Sequence, residues 1–164
     1  MHLAVKHSFH ERGNVKRYCV DRDMGMMRTL AGLIMRNLKI GATQEHRFTP
    51  NKIHSVQLPG LPLVLSTPHL IWHLETAAMK LLEPYLDEGE LSVGTHVDIE
   101  HLAPTPLGAP VVCTARVIHI DGPALSFQVE ARDHVDIIGR GVHKRRVLHA
   151  DRMAKGIERK AASL

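Results

Sequence analysis

The longest run of hydrophobic positions at helical spacing covers residues 67–85. Its members lie three or four residues apart, which predicts one long helix. Thr67-Pro68 is a good helix start, because threonine can cap a helix and proline is favoured in its first turn. The helix is apolar over much of its circumference, so we expect it to be largely buried. Its main stripe consists of Leu70, Leu74, Ala77, Leu81 and Tyr85.

The remaining hydrophobic pattern is typical of strands. Residues 124–133 alternate cleanly between apolar and polar side chains, as in a strand with one buried face. Residues 91–103, 111–121 and 137–149 are also predicted strands, and residues 41–48 a short first one. One long helix followed by four strands predicts an α+β fold in which an antiparallel sheet wraps around the helix.

Three further segments complete the predicted organisation. Residues 1–40 are interpreted as an N-terminal extension, with a possible helix over residues 24–38 that two glycines weaken. Residues 41–150 form the predicted domain, and residues 151–164 a basic C-terminal helix or tail. Inside the domain, the proline-rich and leucine-rich residues 49–66 predict a connector that packs over an apolar site.

Composition limits the class of protein. The chain has 164 residues, 44% of them hydrophobic, which suits one compact domain with a core. No apolar run approaches the ~20 residues that span a bilayer, and the first ten residues do not resemble a secretory signal. Cys19 and Cys113 lie far apart without metal-binding or redox spacing. We therefore expect a cytoplasmic protein without a membrane partner.

The charge of the chain is unevenly distributed. Residues 1–41 carry a net charge of +5, residues 42–143 of −6 and residues 144–164 of +5, giving +4 in total. Basic ends are usually solvated, but they can also attract the phosphates of a ligand or of nucleic acid. Because the chain has one Trp, two Tyr and three Phe, it offers little material for base stacking, and no nucleic-acid partner is predicted.

Three residues are candidates for chemistry: Thr67, Glu75 and His101. A hydroxyl, a carboxylate and an imidazole are the groups that acyl-transfer sites most often assemble. Glu75 lies among apolar helical neighbours, and His101 shares strand parity with Val97 and Ile99. Each also has a simpler interpretation: a helix cap for Thr67, a solvated carboxylate for Glu75 and a core or edge histidine for His101.

A metal site is not predicted. His96, Asp98 and Glu100 lie on one parity of the strand over residues 91–103 and could be read as ligands. Metal sites normally draw ligands from several elements, however, and the thirteen histidines show no recognisable ligand spacing. We interpret these three residues as a solvated face.

The order and spacing of several motifs resemble the fluoroacetyl-CoA thioesterase family. The resemblance runs from about residue 41 to about residue 160 and implies the hotdog fold, a homodimer with the active sites at the subunit interface, and an acyl-CoA substrate. No cofactor is implied beyond the coenzyme A of the substrate, and a higher oligomer remains open. The stretches that carry the resemblance are residues 67–75, 84–90, 93–95, 101–106 and 136–145.

The resemblance also implies roles for single residues. Thr67, Glu75 and His101 match the catalytic residues of the family, with Glu75 as nucleophile or as base for water. Gly94 matches an active-site glycine whose N–H holds the thioester carbonyl, and Arg145 an arginine near the site. His101 would stabilise developing charge or protonate the leaving thiolate. The phosphates of coenzyme A could be attracted by the basic residues Lys144, Arg145, Arg146 and Arg152.

The chain departs from the fluoroacetyl-specific pattern before Thr67. Its connector has leucines where that enzyme has phenylalanines, and Pro68 replaces a glycine. We therefore predict a thioesterase for short-chain or medium-chain acyl-CoA rather than for fluoroacetyl-CoA. Two alternatives within the same fold remain: a non-catalytic acyl-CoA-binding protein and an enoyl-thioester hydratase. A third, an anion-binding or nucleic-acid-binding domain, would use the basic ends.

Overall fold

The structure, a computed structural model, describes residues 37–164. Five antiparallel strands form one sheet, and one long helix packs against it. The predicted helix over residues 24–38 lies, apart from its last two residues, outside the described residues. The elements are β1 (Thr43–Phe48), a 3₁₀ turn (Lys52–His54), β2 (Ser55–Val56), β3 (Val64–Leu65), α1 (Thr67–Leu82), a second 3₁₀ turn (Glu83–Tyr85), β4 (Glu90–His101), β5 (Val111–Asp121), β6 (Ala124–Arg132), β7 (Ile137–His149) and α2 (Ala150–Ala161).

The sheet has the strand order β1-β5-β6-β7-β4, and each neighbouring pair is antiparallel. Strands β5, β6 and β7 follow one another along the chain and pair as a meander, because short turns connect them. Strand β4 pairs with β7 and forms one edge of the sheet, whereas β1 forms the other. The helix α1 contacts every strand of this sheet. The predicted α+β arrangement of helix and antiparallel sheet is confirmed.

The core lies between α1 and the middle of the sheet. The inward positions of β5 and β6 alternate with exposed ones, as the sequence pattern predicts. Burying each large apolar side chain contributes about 1.5–3 kcal/mol relative to leaving it in water. The largest fully buried side chains include Phe127, Leu70, Leu74, Leu82, Leu125 and Ile138.

The start of α1 differs from the prediction. Ser66 is the N-cap residue, and Thr67 is the first helical residue rather than the cap. The Ser66 hydroxyl does not cap the helix but bonds His69 Nδ1 at 2.8 Å. The proline falls in the first turn, where its missing N–H costs no hydrogen bond. The Thr67 hydroxyl is therefore available to another element.

A β-bulge interrupts β4. Gly94 pairs with Arg145, whereas His96 pairs with Lys144, so Thr95 is an extra residue in the strand. A bulge shifts the alternation of side chains by one position. Gly94 and His101, seven residues apart, therefore face the same side of the sheet, which a regular strand would not allow.

The structure describes only part of the segments that flank the predicted domain. Leu38, just before the predicted domain boundary, is buried in the core. Of the predicted basic C-terminal helix or tail, the part up to Ala161 belongs to the helix α2. The division of the chain at residues 40 and 150 stays a prediction. Among residues 37–164, no helix combines the length and the apolar character needed to cross a membrane.

Candidate active site

Thr67 and His101 form a direct pair. The start of α1 brings Thr67 to the end of β4, and Thr67 Oγ1 lies 2.8 Å from His101 Nδ1. Burial lowers the pKa of His101, and an interaction with the Ala103 backbone opposes this shift. The imidazole is therefore neutral at pH 7, and Nδ1 can accept the hydroxyl proton. His101 Nε2 is buried and has no hydrogen-bond partner among the described residues. Of the two ring nitrogens of His101, it is therefore Nδ1 that contacts another predicted site residue, Thr67.

Glu75 belongs to a second group, two turns further along α1. Its Oε1 lies 3.3 Å from His143 Nε2 and 3.7 Å from Arg145 Nη1, both on β7. The side chain of Glu75 is 33% exposed, whereas those of His143 and Arg145 are buried. The carboxylate thus has solvent on one side and two fixed nitrogen-bearing side chains on the other.

Arg145 is anchored from β4. Its Nε donates to Ser92 Oγ at 3.1 Å, and its Nη2 donates to the Ser92 carbonyl at 2.8 Å. Burial lowers the pKa of Arg145, and the nearby Glu75 carboxylate opposes that shift. With its guanidinium held at two points, Arg145 presents its remaining N–H groups in a fixed direction toward Glu75.

Gly94 supplies the space in which the carboxylate lies. A Cβ atom on Gly94 would overlap Glu75 Oε1 and would lie 3.1 Å from His143 Cε1. A side chain here would therefore displace the carboxylate or the imidazole. The bulge at Thr95 contributes directly, because it turns Gly94 toward the helix rather than away from it.

The two groups are separated along α1. Thr67 and Glu75 are eight residues apart, which corresponds to about 12 Å along a helix axis. Within residues 37–164, no hydrogen bond or ion pair joins the Thr67–His101 pair to the Glu75 group. Both groups border β4, the edge strand. One protomer thus presents two half-sites on the same edge.

The structure brings all five predicted site residues to this edge and adds two that the sequence analysis missed. His143 and Ser92 complete the surroundings of Glu75 and Arg145. A signal for His143 was present: it shares strand parity with Arg145 and Val147, while exposed Lys144 and Arg146 occupy the other parity. Polar residues on the inward parity of a strand indicate a site.

The outer face of β4 matches its prediction. Asp98 and Glu100 are exposed, and Glu100 pairs with Arg140 at 3.2 Å across the sheet surface. In the part of the chain that the structure describes, no three His, Cys, Asp or Glu side chains are grouped so that they could hold a metal ion. These carboxylates therefore belong to the solvated side of the sheet.

Comparison with known proteins defines the class. A thioesterase superfamily member from Thermus thermophilus superposes with a TM-score of 0.73 at 27% identity, covering 79% of this chain and 97% of the other. The structure of the fluoroacetyl-CoA thioesterase FlK gives a TM-score of 0.72 at 32% identity, covering 76% and 98%. The fold is the hotdog fold of thioesterases, as predicted.

The family follows from the sequence. Residues 48–151 match the family model described as fluoroacetyl-CoA-specific thioesterase. The fluoroacetyl-CoA thioesterase of Streptantibioticus cattleyicolor is 33% identical over 131 residues, which cover 75% of this chain and 94% of that protein. This chain belongs to the fluoroacetyl-CoA-specific thioesterase family.

Proposed function

We propose that this protein is an acyl-CoA thioesterase that hydrolyses a short-chain or medium-chain acyl-CoA to the free acid and coenzyme A. The observation that carries the proposal is the pair of half-sites on one edge: the Thr67–His101 hydrogen bond, and Glu75 beside Arg145 and His143. These groups supply a hydroxyl with its base and a carboxylate with its orienting partners. Family membership supports the thioester as the substrate.

The complete site forms between two copies of the chain. Two β4 edges paired antiparallel about an axis at Asp98, with Thr95 as the extra residue of the bulge, would place Gly94 opposite His101 of the partner subunit. That pairing brings Glu75 of one copy toward Thr67 of the partner subunit and joins the two half-sites. Residues 94–98 are exposed in one protomer, as are Trp72 and Met79, which flank Glu75 on α1. An apolar surface beside a free strand edge supports a homodimer.

In this site Glu75 removes a proton from water while the water oxygen bonds to the thioester carbon. The developing oxyanion is held by the Gly94 N–H. The Thr67 hydroxyl donates its one proton to His101 Nδ1, and its oxygen accepts a hydrogen bond from the attacking water. The C–S bond then breaks, and the proton held on Glu75 passes to the coenzyme A thiolate. Because His101 Nε2 is buried, His101 acts through Thr67 rather than directly on the leaving group.

The surroundings support a general acyl group rather than fluoroacetyl. Residues 49–66 contain no Phe, Tyr or Trp, and Leu58 and Leu61 on this connector are exposed. Exposed Lys144, Arg146 and Arg152 are available for the phosphates of coenzyme A, whereas Arg145 is committed to Ser92 and Glu75. The proposal includes no nucleic-acid or membrane partner and no cofactor. A cytoplasmic location fits the free thiol of Cys113.

Thiol release from a panel of acyl-CoAs, acetyl to octanoyl with fluoroacetyl and phenylacetyl, tests the activity. We expect turnover by the wild type and by Glu88→Ala, an exposed control carboxylate, and loss of at least about a hundredfold in Glu75→Ala and His101→Ala. Tight acyl-CoA binding without turnover would favour the non-catalytic binder. Loss of enoyl absorbance without thiol release would favour the hydratase.

A mixing experiment tests the shared site. Thr67→Ala and Glu75→Ala each inactivate the homodimer, but a mixed dimer retains one site with both residues intact. Random mixing after co-refolding should therefore restore about one quarter of the wild-type activity. A mixture that stays as inactive as its two components would show that Thr67 and Glu75 of the same copy act together.

A further inference from the structure

His143 has a fixed hydrogen-bonding state. Its side chain is 1% exposed, and its Nδ1 lies 2.9 Å from the His96 carbonyl on β4. A carbonyl oxygen can only accept, so Nδ1 must carry the proton. In the neutral ring Nε2 is then an acceptor, and the tautomer is set by the backbone of the neighbouring strand.

That acceptor faces two different groups. His143 Nε2 lies 3.2 Å from Arg145 Nη1, which can donate to it, and 3.3 Å from Glu75 Oε1. A carboxylate oxygen and an imidazole lone pair are both acceptors, so the contact with ionised Glu75 is not a hydrogen bond. The contact becomes a hydrogen bond once Glu75 carries a proton.

The alternative state, a charged imidazolium, is disfavoured where His143 lies. Burial lowers the pKa of His143. The hydrogen bond to the His96 backbone carbonyl and the negative charge of Glu75 oppose this shift, whereas the positive charge of Arg145 and the side chain of His96 add to it. A proton on Nε2 would also meet the N–H groups of Arg145, whose guanidinium is held by Ser92. The neutral ring is therefore the resting state, and its Nε2 lone pair can accept one hydrogen bond, either from Arg145 or from a protonated Glu75.

We propose that His143 is a positioning residue for Glu75: its Nε2 accepts a hydrogen bond from the proton that Glu75 removes from the attacking water. The inference rests on the proposed function. Water gives its proton to the carboxylate as its oxygen bonds to the thioester carbon, and the new carboxylic acid donates to His143 Nε2. When the C–S bond breaks, that proton goes to the thiolate. The hydrogen bond exists only after proton transfer, so it stabilises the transition state more than the ground state.

Two substitutions separate this role from a structural one. His143→Asn retains a donor at the Nδ1 position for the His96 carbonyl but removes Nε2. His143→Gln places an amide oxygen near the Nε2 position but loses the bond to His96. We expect kcat to fall at least about tenfold in the Asn variant with KM changed less than about threefold, and to stay closer to wild type in the Gln variant.

A merely structural role predicts the opposite order, because the Asn variant keeps the hydrogen bond between the two strands. The inference is overturned if the Asn variant retains wild-type kcat, or if the Gln variant is the more impaired of the two. If the wild type turns over acyl-CoA and the Asn variant is fully active, the role of His143 is refuted while the proposed function stands. Absence of wild-type turnover removes the proposed function and this inference with it.

A spectroscopic measurement tests the tautomer without activity. Long-range ¹H–¹⁵N correlation on the ¹⁵N-histidine-labelled protein at pH 7, assigned with the His143→Gln variant, reports which ring nitrogen is protonated. We expect the Nδ1–H tautomer for His143. A proton on Nε2, in either the neutral or the charged ring, would overturn the inference.

Discussion

Acid should destabilise this protein through its buried imidazoles, among them His73 on α1. The ring is 4% exposed and stacks on Phe48 with 3.4 Å between ring centroids. Lys80 Nζ lies 3.1 Å from His46 Nδ1, and His46 Nε2 lies 3.0 Å from His73 Nδ1. Because the ammonium can only donate, His46 accepts from Lys80 and donates to His73. Both rings are held in this arrangement without a charge.

The magnitude follows from the pKa of His73. Burial is the largest cause, and together with the neighbouring His46, His54 and His69 it lowers this pKa from 6.5 to about 4. Between these two pKa values the unfolded chain binds a proton that the folded protein does not. The free energy of unfolding is therefore highest above pH 6.5 and decreases as the pH falls toward 4. The loss attributable to His73 is about 2 kcal/mol at pH 5 and about 3 kcal/mol at pH 4.

Urea unfolding at pH 7 and pH 5 measures this loss. His73→Phe preserves the stacking on Phe48 and removes the titrating group. From pH 7 to pH 5 the wild type should therefore lose about 2 kcal/mol more of its free energy of unfolding than this variant loses. His119→Phe, at an exposed position on β5, is the control and should behave like the wild type. Equal losses in the wild type and in His73→Phe would refute the reasoning.

Three further predictions concern single sites. Gly94→Ala should lower kcat at least about tenfold with little change in melting temperature, because the new Cβ displaces the Glu75 side chain. In Gly141→Ala the new Cβ meets the Asp98 backbone carbonyl, so this variant should instead lower the free energy of unfolding by about 1–3 kcal/mol. Thiol release and thermal unfolding compare the two variants. A stable protein with full activity for Gly94→Ala, or a loss of activity without loss of stability for Gly141→Ala, would contradict a role of Gly94 at the active site. Burial raises the pKa of Cys113 to about 12, so in a Cys19→Ser background the folded protein should not react with a thiol reagent at pH 8 until it is unfolded in urea. Thr67→Ser should retain most of the thioesterase activity that Thr67→Ala loses, because serine preserves the hydroxyl that contacts His101; equal activity of both variants would exclude a role for the hydroxyl.

The sequence was sufficient for the long elements because each shows several repeats of its period. Strands β5 and β7 have the predicted ends, and α1 begins at the predicted residue. The short strands β2 and β3 inside the predicted connector were not foreseen, since two residues show no period. Such strands depend on tertiary contacts rather than on local pattern.

Placement of the site was less predictable. A regular strand would put Gly94 and His101 on opposite faces, and only the bulge at Thr95, which has no local sequence signal, brings them to the same face. The simpler interpretation of Thr67, a helix cap, was wrong, because the preceding serine occupies that position. The packing of His143 against Glu75 depends on how α1 crosses β7, which periodicity does not report.

The single tryptophan of the chain lies on the surface that the proposed dimer would cover. Trp72 is 56% exposed in the protomer, three residues before Glu75, and its ring meets that of His73 edge-on at 4.8 Å. Indole emission moves to shorter wavelength when water is removed, and a neighbouring imidazolium quenches it. The intrinsic fluorescence of the unlabelled protein would therefore report two separate events. Its wavelength would follow dissociation of the proposed dimer during dilution, and its intensity would follow the protonation of His73 during acidification.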